Sequence, residues 1–181
     1  MTIEKTILEG CYVLKPRVFE DDRGYFFESF NKETFTKLTG KEVNFVQDNQ
    51  SFSTEGVLRG IHYQIGKYAQ AKLVRVLKGV ILDVAVDLRK DSKTFGQHFS
   101  IELSEENKKQ LFMPRGFGHG FVVLSDTAEF FYKCDNFYNK DSERGILYND
   151  KILDINWDYP ESKMIISLKD KELPPFSELS L

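Results

Sequence analysis

The sequence predicts an all-β domain of the sandwich or barrel type. Most of the chain consists of short apolar or alternating runs that end at Gly, Asp, Asn or Pro, which is typical of antiparallel strands joined by turns. Helical periodicity is scarce. The chain has 181 residues, 41% of them hydrophobic, so it is long enough to bury a substantial core. We therefore expect a single domain over residues 1–181.

One short helix is predicted near the N-terminal end. Asn31 can cap it, Phe35 and Leu38 lie on one face of it, and Gly40 is suited to end it. A helix this brief is expected to cover one edge of a sheet.

Alternation predicts which side chains of the strands face inward. Over residues 80–88, Asp83 and Asp87 share a face with small or apolar residues, which suggests a partly enclosed polar cavity. His98 falls on the polar face of a later strand and is expected to point to solvent. Tyr132 falls on an apolar face, so its hydroxyl is expected to point inward.

Composition argues against several classes of protein. A formal net charge of -3 provides no basic field for nucleic acid or for an anionic membrane. The first ten residues lack the apolar core of a signal peptide, and no apolar run could span a bilayer, so a cytoplasmic location is expected. Cys11 and Cys134 are far apart in sequence and predict neither a disulfide nor a structural zinc site.

The histidines do not form a metal-binding pattern. A mononuclear site in a small β-barrel usually needs a His-x-His pair with a nearby carboxylate and a third His. The residue two positions after His62 is Gln64, so no metal is expected. By alternation His62 shares a face with Leu58 and Gly60, and this pattern alone fits a core histidine as well as a functional one.

Cations close to His62 favour an anionic substrate. Arg59 lies three residues upstream, and Lys72 and Arg75 lie on the next predicted strand. Each of them singly fits a solvated charge, and Lys72 and Arg75 point to opposite faces. Only one of the two can therefore enter a cavity with His62, where a neutral base beside a cation suits an anionic, enolisable substrate.

Two polar segments fit plain turns when the residues are taken alone. They are Arg23-Gly24 and the run over residues 47–51, for which a turn is favoured over a hydrogen-bonding shelf. Neither a P-loop nor a Rossmann glycine fingerprint occurs in the chain.

Eight short blocks follow one another along the chain. They are Asp22-Arg23-Gly24, Val46–Asn49, Val57–Gln64, Lys72–Arg75, Phe95-Gly96-Gln97, Pro114–Phe121, Tyr132-Lys133-Cys134 and Ser167–Asp170. In order and spacing they resemble the dTDP-4-dehydrorhamnose 3,5-epimerase family, from about Ile7 to about Pro174. Eight ordered blocks are far more specific than one short motif.

The resemblance implies a fold and an activity. The fold is a cupin-like jelly-roll β-sandwich or barrel with a few short helices, in a homodimer that exchanges strands between subunits. The N-terminal strands and the tail from Lys151 onward are expected to contribute to the dimer and to the site. The activity is inversion of C3 and C5 of dTDP-4-keto-6-deoxy-D-glucose to dTDP-4-keto-L-rhamnose, a step of dTDP-L-rhamnose biosynthesis that needs no cofactor.

The resemblance also implies roles for individual residues. His62 is the proton acceptor, Tyr132 the proton donor, Asp170 the carboxylate that orients His62, and Lys72 the cation nearest the enolate. Tyr138 corresponds to the aromatic residue that stacks on the thymine. The positions expected to hold nucleotide, diphosphate or sugar are Arg23, Glu28, Gln47, Asp48, Asn49, Arg59, Lys72, His119, Tyr138, Glu143 and Lys169.

Three alternatives remain open from the sequence. A relative that epimerises only C3 or C5, or that accepts another nucleotide or hexose, would use the same acid and base. A non-catalytic sugar-binding cupin would keep the fold without needing His62, Tyr132 and Asp170 together. A metal-dependent cupin oxygenase or isomerase is disfavoured by Gln64.

Arg115 departs from the family, which more often has an acidic or small residue there, and is expected at the cleft rim.

Overall fold

The structure is a computed structural model that describes residues 1–179. These residues form fourteen β-strands, two α-helices and four single-turn 3-10 helices. The strands are β1 (Thr2–Lys5), β2 (Tyr12–Lys15), β3 (Phe19–Asp21), β4 (Gly24–Phe26), β5 (Gln47–Thr54), β6 (Val57–Gln64), β7 (Lys72–Lys78), β8 (Val80–Asp87), β9 (His98–Ser104), β10 (Gln110–Met113), β11 (Phe117–Val123), β12 (Thr127–Cys134), β13 (Glu143–Gly145) and β14 (Ile165–Ile166). The helices are α1 (Lys32–Thr39) and α2 (Leu168–Lys171), and the 3-10 turns are Gly66–Tyr68, Lys140–Ser142, Glu161–Lys163 and Phe176–Glu178.

Two sheets carry most of these strands. The first has the order β1-β2-β10-β7-β12-β5, and the second has the order β13-β6-β11-β8-β9 with β14 added in parallel beside β6. Every other pair is antiparallel, and β3 and β4 form a separate hairpin. Non-consecutive neighbours in two packed antiparallel sheets define a jelly-roll sandwich, which confirms the all-β prediction.

Three clusters of buried apolar side chains hold the layers together. The largest lies between the sheets and includes Val74 of β7, Phe121 of β11 and Phe130 of β12. A second covers the outer face of the second sheet, where the C-terminal segment contributes Trp157. The third covers the outer face of the first sheet, where α1 inserts Phe35. Burial of apolar area at these three contacts is the main stabilising contribution to the fold.

The predicted helix is confirmed together with both of its caps. The Asn31 side chain accepts a hydrogen bond from the Thr34 N–H at the N-terminus of α1. Gly40 takes the left-handed conformation with φ 68° at the C-terminus. Phe35 is fully buried against the first sheet, whereas Leu38 on the same predicted face is 36% exposed.

Two predictions about strands need correction. The run over residues 47–51 is the start of β5 and not a turn, because each of its residues pairs with β12. Asp87 is buried beside Arg89, Ser92 and Thr94 and does not reach the cavity that Asp83 approaches. His98 lies on the face of β9 opposite Phe99 and Ile101, which pack against the core, and is half-buried there.

A bulge in β6 changes which side chains face inward. His119 of β11 pairs with His62, but Phe121, two residues on, pairs with Arg59, so two residues of β6, Gly60 and Ile61, oppose the single residue Gly120 of β11. The bulge centres on Gly60, whose φ is 116°; a Cβ there would lie 2.6 Å from the Gly120 Cα. In a regular strand, Arg59 and His62 would point to opposite faces because they are three residues apart. With the bulge between them, both side chains line the cavity between the sheets.

Within residues 1–179, no helix is both long enough and apolar enough to cross a membrane.

Candidate active site

A cavity of about 710 Å³ opens between the two sheets. Strands β5, β7 and β12 form one wall, and β6, β11 and β13 form the other, with residues 165–170 closing the side. Its size suits a ligand larger than a simple sugar. The predicted site residues that line it are Gln47, Asn49, Arg59, His62, Lys72, His119, Tyr132, Tyr138, Glu143, Lys169 and Asp170.

An imidazole and a carboxylate form a tight pair on the β6 wall. His62 Nε2 lies 2.6 Å from Asp170 Oδ1. A carboxylate accepts the Nε2–H, so it fixes the tautomer in which Nδ1 carries the lone pair. His62 keeps about a third of its side chain exposed to the cavity, whereas Asp170 is buried. The pair therefore provides an imidazole whose neutral form has its basic nitrogen defined as Nδ1.

The position of Asp170 follows from the local structure of the tail. Ser167 caps α2, and its Oγ accepts a hydrogen bond from the Asp170 N–H at 3.1 Å. Burial alone would raise the pKa of the Asp170 carboxyl, but hydrogen bonds from His62, Ser167 and the Gly60 main chain outweigh it and lower that pKa. Asp170 is thus held as a carboxylate, the form that stabilises a protonated imidazole.

A phenol faces this pair from the β12 wall. Tyr132 packs against Phe130 with ring centroids 5.5 Å apart, and within residues 1–179 its hydroxyl makes no hydrogen bond. Burial raises the pKa of Tyr132 to about 12, with Cys134 and Glu143 adding to the effect and Arg59 opposing it. The hydroxyl is therefore protonated at neutral pH and is chemically able to donate a proton. Tyr132 packs against the core and lines the cavity, which confirms the inward orientation predicted by alternation.

The ammonium group of Lys72 lies beside the Tyr132 ring. Its Nζ lies 5.9 Å from the Tyr132 ring centroid, and in the described part of the chain it forms no ion pair or hydrogen bond. Burial lowers its pKa, and Cys134, Asp83 and Glu143 oppose this lowering. Arg75, by contrast, packs on Phe131 outside the cavity, 5.8 Å from the ring centroid. The prediction that only one of these cations enters the cavity is confirmed.

A second histidine-carboxylate pair lies on the neighbouring strand. His119 Nε2 lies 2.7 Å from Asp83 Oδ1, and the His119 ring stacks on Phe130 with centroids 5.7 Å apart. Asp83 is fully buried, and its Oδ2 has no partner within the described residues. Sequence reasoning placed a carboxylate near a cavity at this strand but missed its pairing with His119. The signal in the sequence was the position of Asp83 on the odd-numbered face of β8, the face that turns toward the cavity.

Arg59 reaches the cavity from the bulge in β6. Its Nε donates to the Oγ of buried Ser53 at 3.1 Å, which leaves the rest of the guanidinium free of protein partners in residues 1–179. A planar group with free N–H donors is suited to phosphate or another anion. Ser53 was not predicted, because only the β5 register brings it beside Arg59.

Tyr138, Glu143 and Lys169 form a polar group at the mouth of the cavity. Glu143 Oε2 accepts from Lys169 Nζ at 2.7 Å and from the Tyr138 hydroxyl at 3.0 Å. Burial opposes ionisation of Glu143, but these hydrogen bonds lower its pKa, so it remains a carboxylate. The Tyr138 ring itself is 55% exposed and is open to a planar ligand.

Three predicted binding residues do not line the cavity. Asp48 points to the outer face of β5, because alternation puts Gln47 and Asn49 inside, and it pairs with Lys133 at 2.9 Å. Arg23 lies at the exposed tip of the β3-β4 hairpin and pairs with Asp21. Glu28 accepts a hydrogen bond from Asn31 on the surface.

Arg115 also lies outside the cavity lining. Its Nε donates to Asp135 Oδ2 at 2.8 Å, and the other oxygen of Asp135 accepts the Ala71 N–H. The departure from the family at this position therefore falls at the base of the loop that carries Tyr138, and leaves the His62, Tyr132 and Asp170 side chains untouched.

The described residues offer no metal-binding cluster. Over residues 1–179, no group of three or more His, Cys, Asp or Glu side chains is close enough to hold an ion. Cys11 and Cys134 are buried free thiols.

The fold and the cavity define a cupin-like acid-base isomerase. A base fixed by a carboxylate, a protonated phenol on the facing wall and an unpaired ammonium are the groups needed to move a proton on a carbon next to a carbonyl. Arg59 and the polar group at the mouth add sites for an anionic extension of the ligand.

The comparisons assign the family. The family model for dTDP-4-dehydrorhamnose 3,5-epimerase matches residues 5–178, and the chain belongs to this family. A dTDP-4-dehydrorhamnose 3,5-epimerase of Shigella flexneri is 54% identical over 170 residues, covering 94% of this chain and 93% of the relative. The resemblance drawn from the eight blocks is confirmed.

Solved structures agree with both the fold and the family. The dTDP-4-dehydrorhamnose 3,5-epimerase of Elizabethkingia anophelis NUHP1 superposes with a TM-score of 0.96 at 57% identity, covering 98% of this chain and 97% of its own. The dTDP-6-deoxy-D-glucose-3,5-epimerase of Legionella pneumophila Philadelphia 1, solved with dTDP-4-keto-L-rhamnose, gives a TM-score of 0.94 at 44% identity, covering 99% and 94%. The cupin-like jelly roll is thereby confirmed.

Proposed function

We propose that this protein is a dTDP-4-dehydrorhamnose 3,5-epimerase, an isomerase that converts dTDP-4-keto-6-deoxy-D-glucose to dTDP-4-keto-L-rhamnose. The observation that carries the proposal is the His62-Asp170 pair on one cavity wall with Tyr132 on the other. The family assignment supports the substrate, because relatives of this name cover nearly the whole chain.

In the proposed mechanism the C4 ketone makes the hydrogens on C3 and C5 acidic. His62 Nδ1 removes one of them, and the bonding electrons move to the C4 oxygen as an enolate. Asp170 stabilises the resulting imidazolium. Tyr132 then donates its proton to the opposite face of the same carbon. Exchange with solvent removes the extra proton from His62 and returns a proton to Tyr132. The same steps at the second carbon complete the conversion.

Lys72 is the proposed stabiliser of the enolate. Its ammonium has no protein partner among residues 1–179 and lies beside Tyr132, so it is free to donate to the C4 oxygen. A preorganised donor to such an oxygen typically contributes about 3 kcal/mol to the transition state.

The remaining cavity groups are proposed to hold the rest of the substrate. Arg59 is placed to bind the diphosphate, His119 and Asn49 the hexose, and Gln47, Glu143 and Lys169 the groups near the mouth. The exposed ring of Tyr138 is proposed to stack on the thymine.

We further propose that the enzyme is a homodimer in which Arg23 and Glu28 serve the cavity of the partner subunit. The supporting observation is the β3-β4 hairpin, which exposes Phe19, Tyr25 and Phe26 and packs into neither sheet. The proposed location is the cytoplasm, in keeping with the two free thiols.

The test is turnover of dTDP-4-keto-6-deoxy-D-glucose in deuterium oxide, followed by NMR. Wild-type protein should place deuterium at both C3 and C5 and yield the L-rhamno product. His62→Ala should incorporate none, whereas Tyr132→Phe should retain some proton removal and lose completed inversion. His98→Ala, which alters a histidine outside the cavity, should behave as wild type.

Each outcome has a separate meaning. Label at one carbon only would replace the proposal with a single-carbon epimerase. Labelling at the wild-type rate in His62→Ala would remove His62 from its role as the base.

A further inference from the structure

Gln64 makes three hydrogen bonds that hold two loops at the cavity mouth. It ends β6, two residues after His62, and is 7% exposed. Its Nε2 donates to Tyr68 O at 2.8 Å and to Phe137 O at 3.2 Å, and its Oε1 accepts the Asn139 N–H at 2.6 Å. The buried carboxamide is thus satisfied entirely by main-chain groups.

Two of these bonds flank Tyr138. Gln64 fixes Phe137 O on one side and Asn139 N on the other, and Gln47 Oε1 accepts the Tyr138 N–H between them at 3.0 Å. Two glutamines, one from each sheet, therefore hold three consecutive residues of the loop.

Apolar packing cannot replace these bonds. The side chains of Phe137 and Tyr138 are 61% and 55% exposed, so neither anchors the segment in a core. The only side-chain bond of the Tyr138 hydroxyl in the described residues is to Glu143 at 3.0 Å. An exposed segment that is held by hydrogen bonds, two of them from buried Gln64, should lose order around Tyr138 when the Gln64 bonds are removed.

Resting on the proposed function, we propose that Gln64 is a positioning residue for nucleotide binding. It holds the Tyr138 ring in place for a planar base, so that less conformational entropy is lost when the base stacks. It does not touch the reacting carbons. This role also accounts for a glutamine at the position where a metal-dependent cupin would have its second histidine.

The test is a double-mutant cycle between Gln64→Met and Tyr138→Ala. Methionine keeps the length of the side chain and removes all three hydrogen bonds. Stacking of a base on an aromatic ring is typically strong enough that a misaligned Tyr138 ring should raise the KM for the sugar-nucleotide substrate about tenfold. The Kd for dTDP should rise by a similar factor. The kcat should stay within about twofold. In the Tyr138→Ala background, Gln64→Met should change the Kd less than about twofold.

A matched control separates positioning from general destabilisation. Asn107 also makes three main-chain hydrogen bonds, with Glu102 O, Ser104 N and Lys109 N, at a turn outside the cavity. Asn107→Leu should lower the melting temperature without changing KM or the dTDP affinity. Equal effects of Gln64→Met on the Kd in both Tyr138 backgrounds, or none in either, would overturn the proposal.

Hydrogen exchange provides a readout that needs no nucleotide. The Asn139 amide should exchange slowly in the wild type and at least tenfold faster in Gln64→Met, because its acceptor is removed. We call the three hydrogen bonds of Gln64 the clamp. Rapid exchange of the Asn139 amide in the wild type would refute the clamp even if dTDP binds. Slow exchange in a wild type that neither binds dTDP nor labels the substrate would leave the clamp standing and refute the proposed function instead.

Discussion

At the scale of single residues, the site depends on which nitrogen of His62 carries the proton. Asp170 can only accept, so it selects the tautomer with a basic Nδ1. An asparagine in its place can donate to Nε2 and select the opposite tautomer. Asp170→Asn should therefore lower kcat by about 10³-fold. Asp170→Ala, which leaves Nε2 exposed to solvent, should lower kcat by less. Deuterium incorporation under single-turnover conditions would measure both effects.

The same substitution has a signature in stability against pH. The pKa of Asp170 is lowered in the folded protein, so its ionisation stabilises the fold above the ordinary aspartate pKa, and this contribution is lost as pH falls through the lowered value. The difference in free energy of unfolding between wild type and Asp170→Asn should shrink as the pH falls from about 5 to below about 4, where Asp170 takes up its proton. Urea titrations would measure it; a difference that grows over this acidic range contradicts the assignment.

Some site residues could be placed correctly from the sequence, and others could not. Tyr132 was placed correctly, and so was the division between Lys72 and Arg75, because alternation within one strand decides both. The bond from His62 to Asp170 joins residues 108 apart, and no periodicity reports it; only the family resemblance suggested it. For Gln64 the sequence supported only the argument that it is not a metal ligand. Its hydrogen-bond partners could not be predicted, because they lie on loops whose paths the sequence does not specify.

At the scale of elements, the bulge in β6 decides the composition of the cavity. It was not predicted, because it arises from the close approach of Gly60 to Gly120 of β11 and not from any pattern within β6. Gly60→Ala would force a Cβ to 2.6 Å from the Gly120 Cα at a φ of 116°. We expect a loss of about 3 kcal/mol in the free energy of unfolding, with activity lost as His62 is displaced.

Gly24→Ala is the control for the Gly60 variant. Gly24 has a similar φ of 125°, but a Cβ there meets no atom within 4 Å. It should therefore show the backbone cost alone, about 1 to 2 kcal/mol, which is smaller than the loss expected for Gly60→Ala. Equal losses in the two variants, by chemical denaturation at matched protein concentration, would mean that the close approach of β6 and β11 does not matter.

At the scale of the whole molecule, Arg23 and Glu28 are not among the residues that line the cavity of their own chain. The β3-β4 hairpin that carries Arg23 leaves Tyr25 and Phe26 exposed by 61% and 67%, and a second copy of the chain would both cover these rings and bring Arg23 to a cavity. Alternation along the sequence could not reveal this arrangement, because the proposed contact is between chains.

Subunit complementation tests this arrangement directly. Arg23→Ala and His62→Ala homodimers should each be nearly inactive. In a mixed dimer, the chain with an intact His62 receives an intact Arg23 from its partner, so one of the two cavities is complete. Random assortment makes half of the dimers mixed, and activity after co-refolding equal amounts should therefore recover to roughly a quarter of the wild-type value. If Arg23 served the cavity of its own chain, every cavity would carry one defect or the other, and no activity would return.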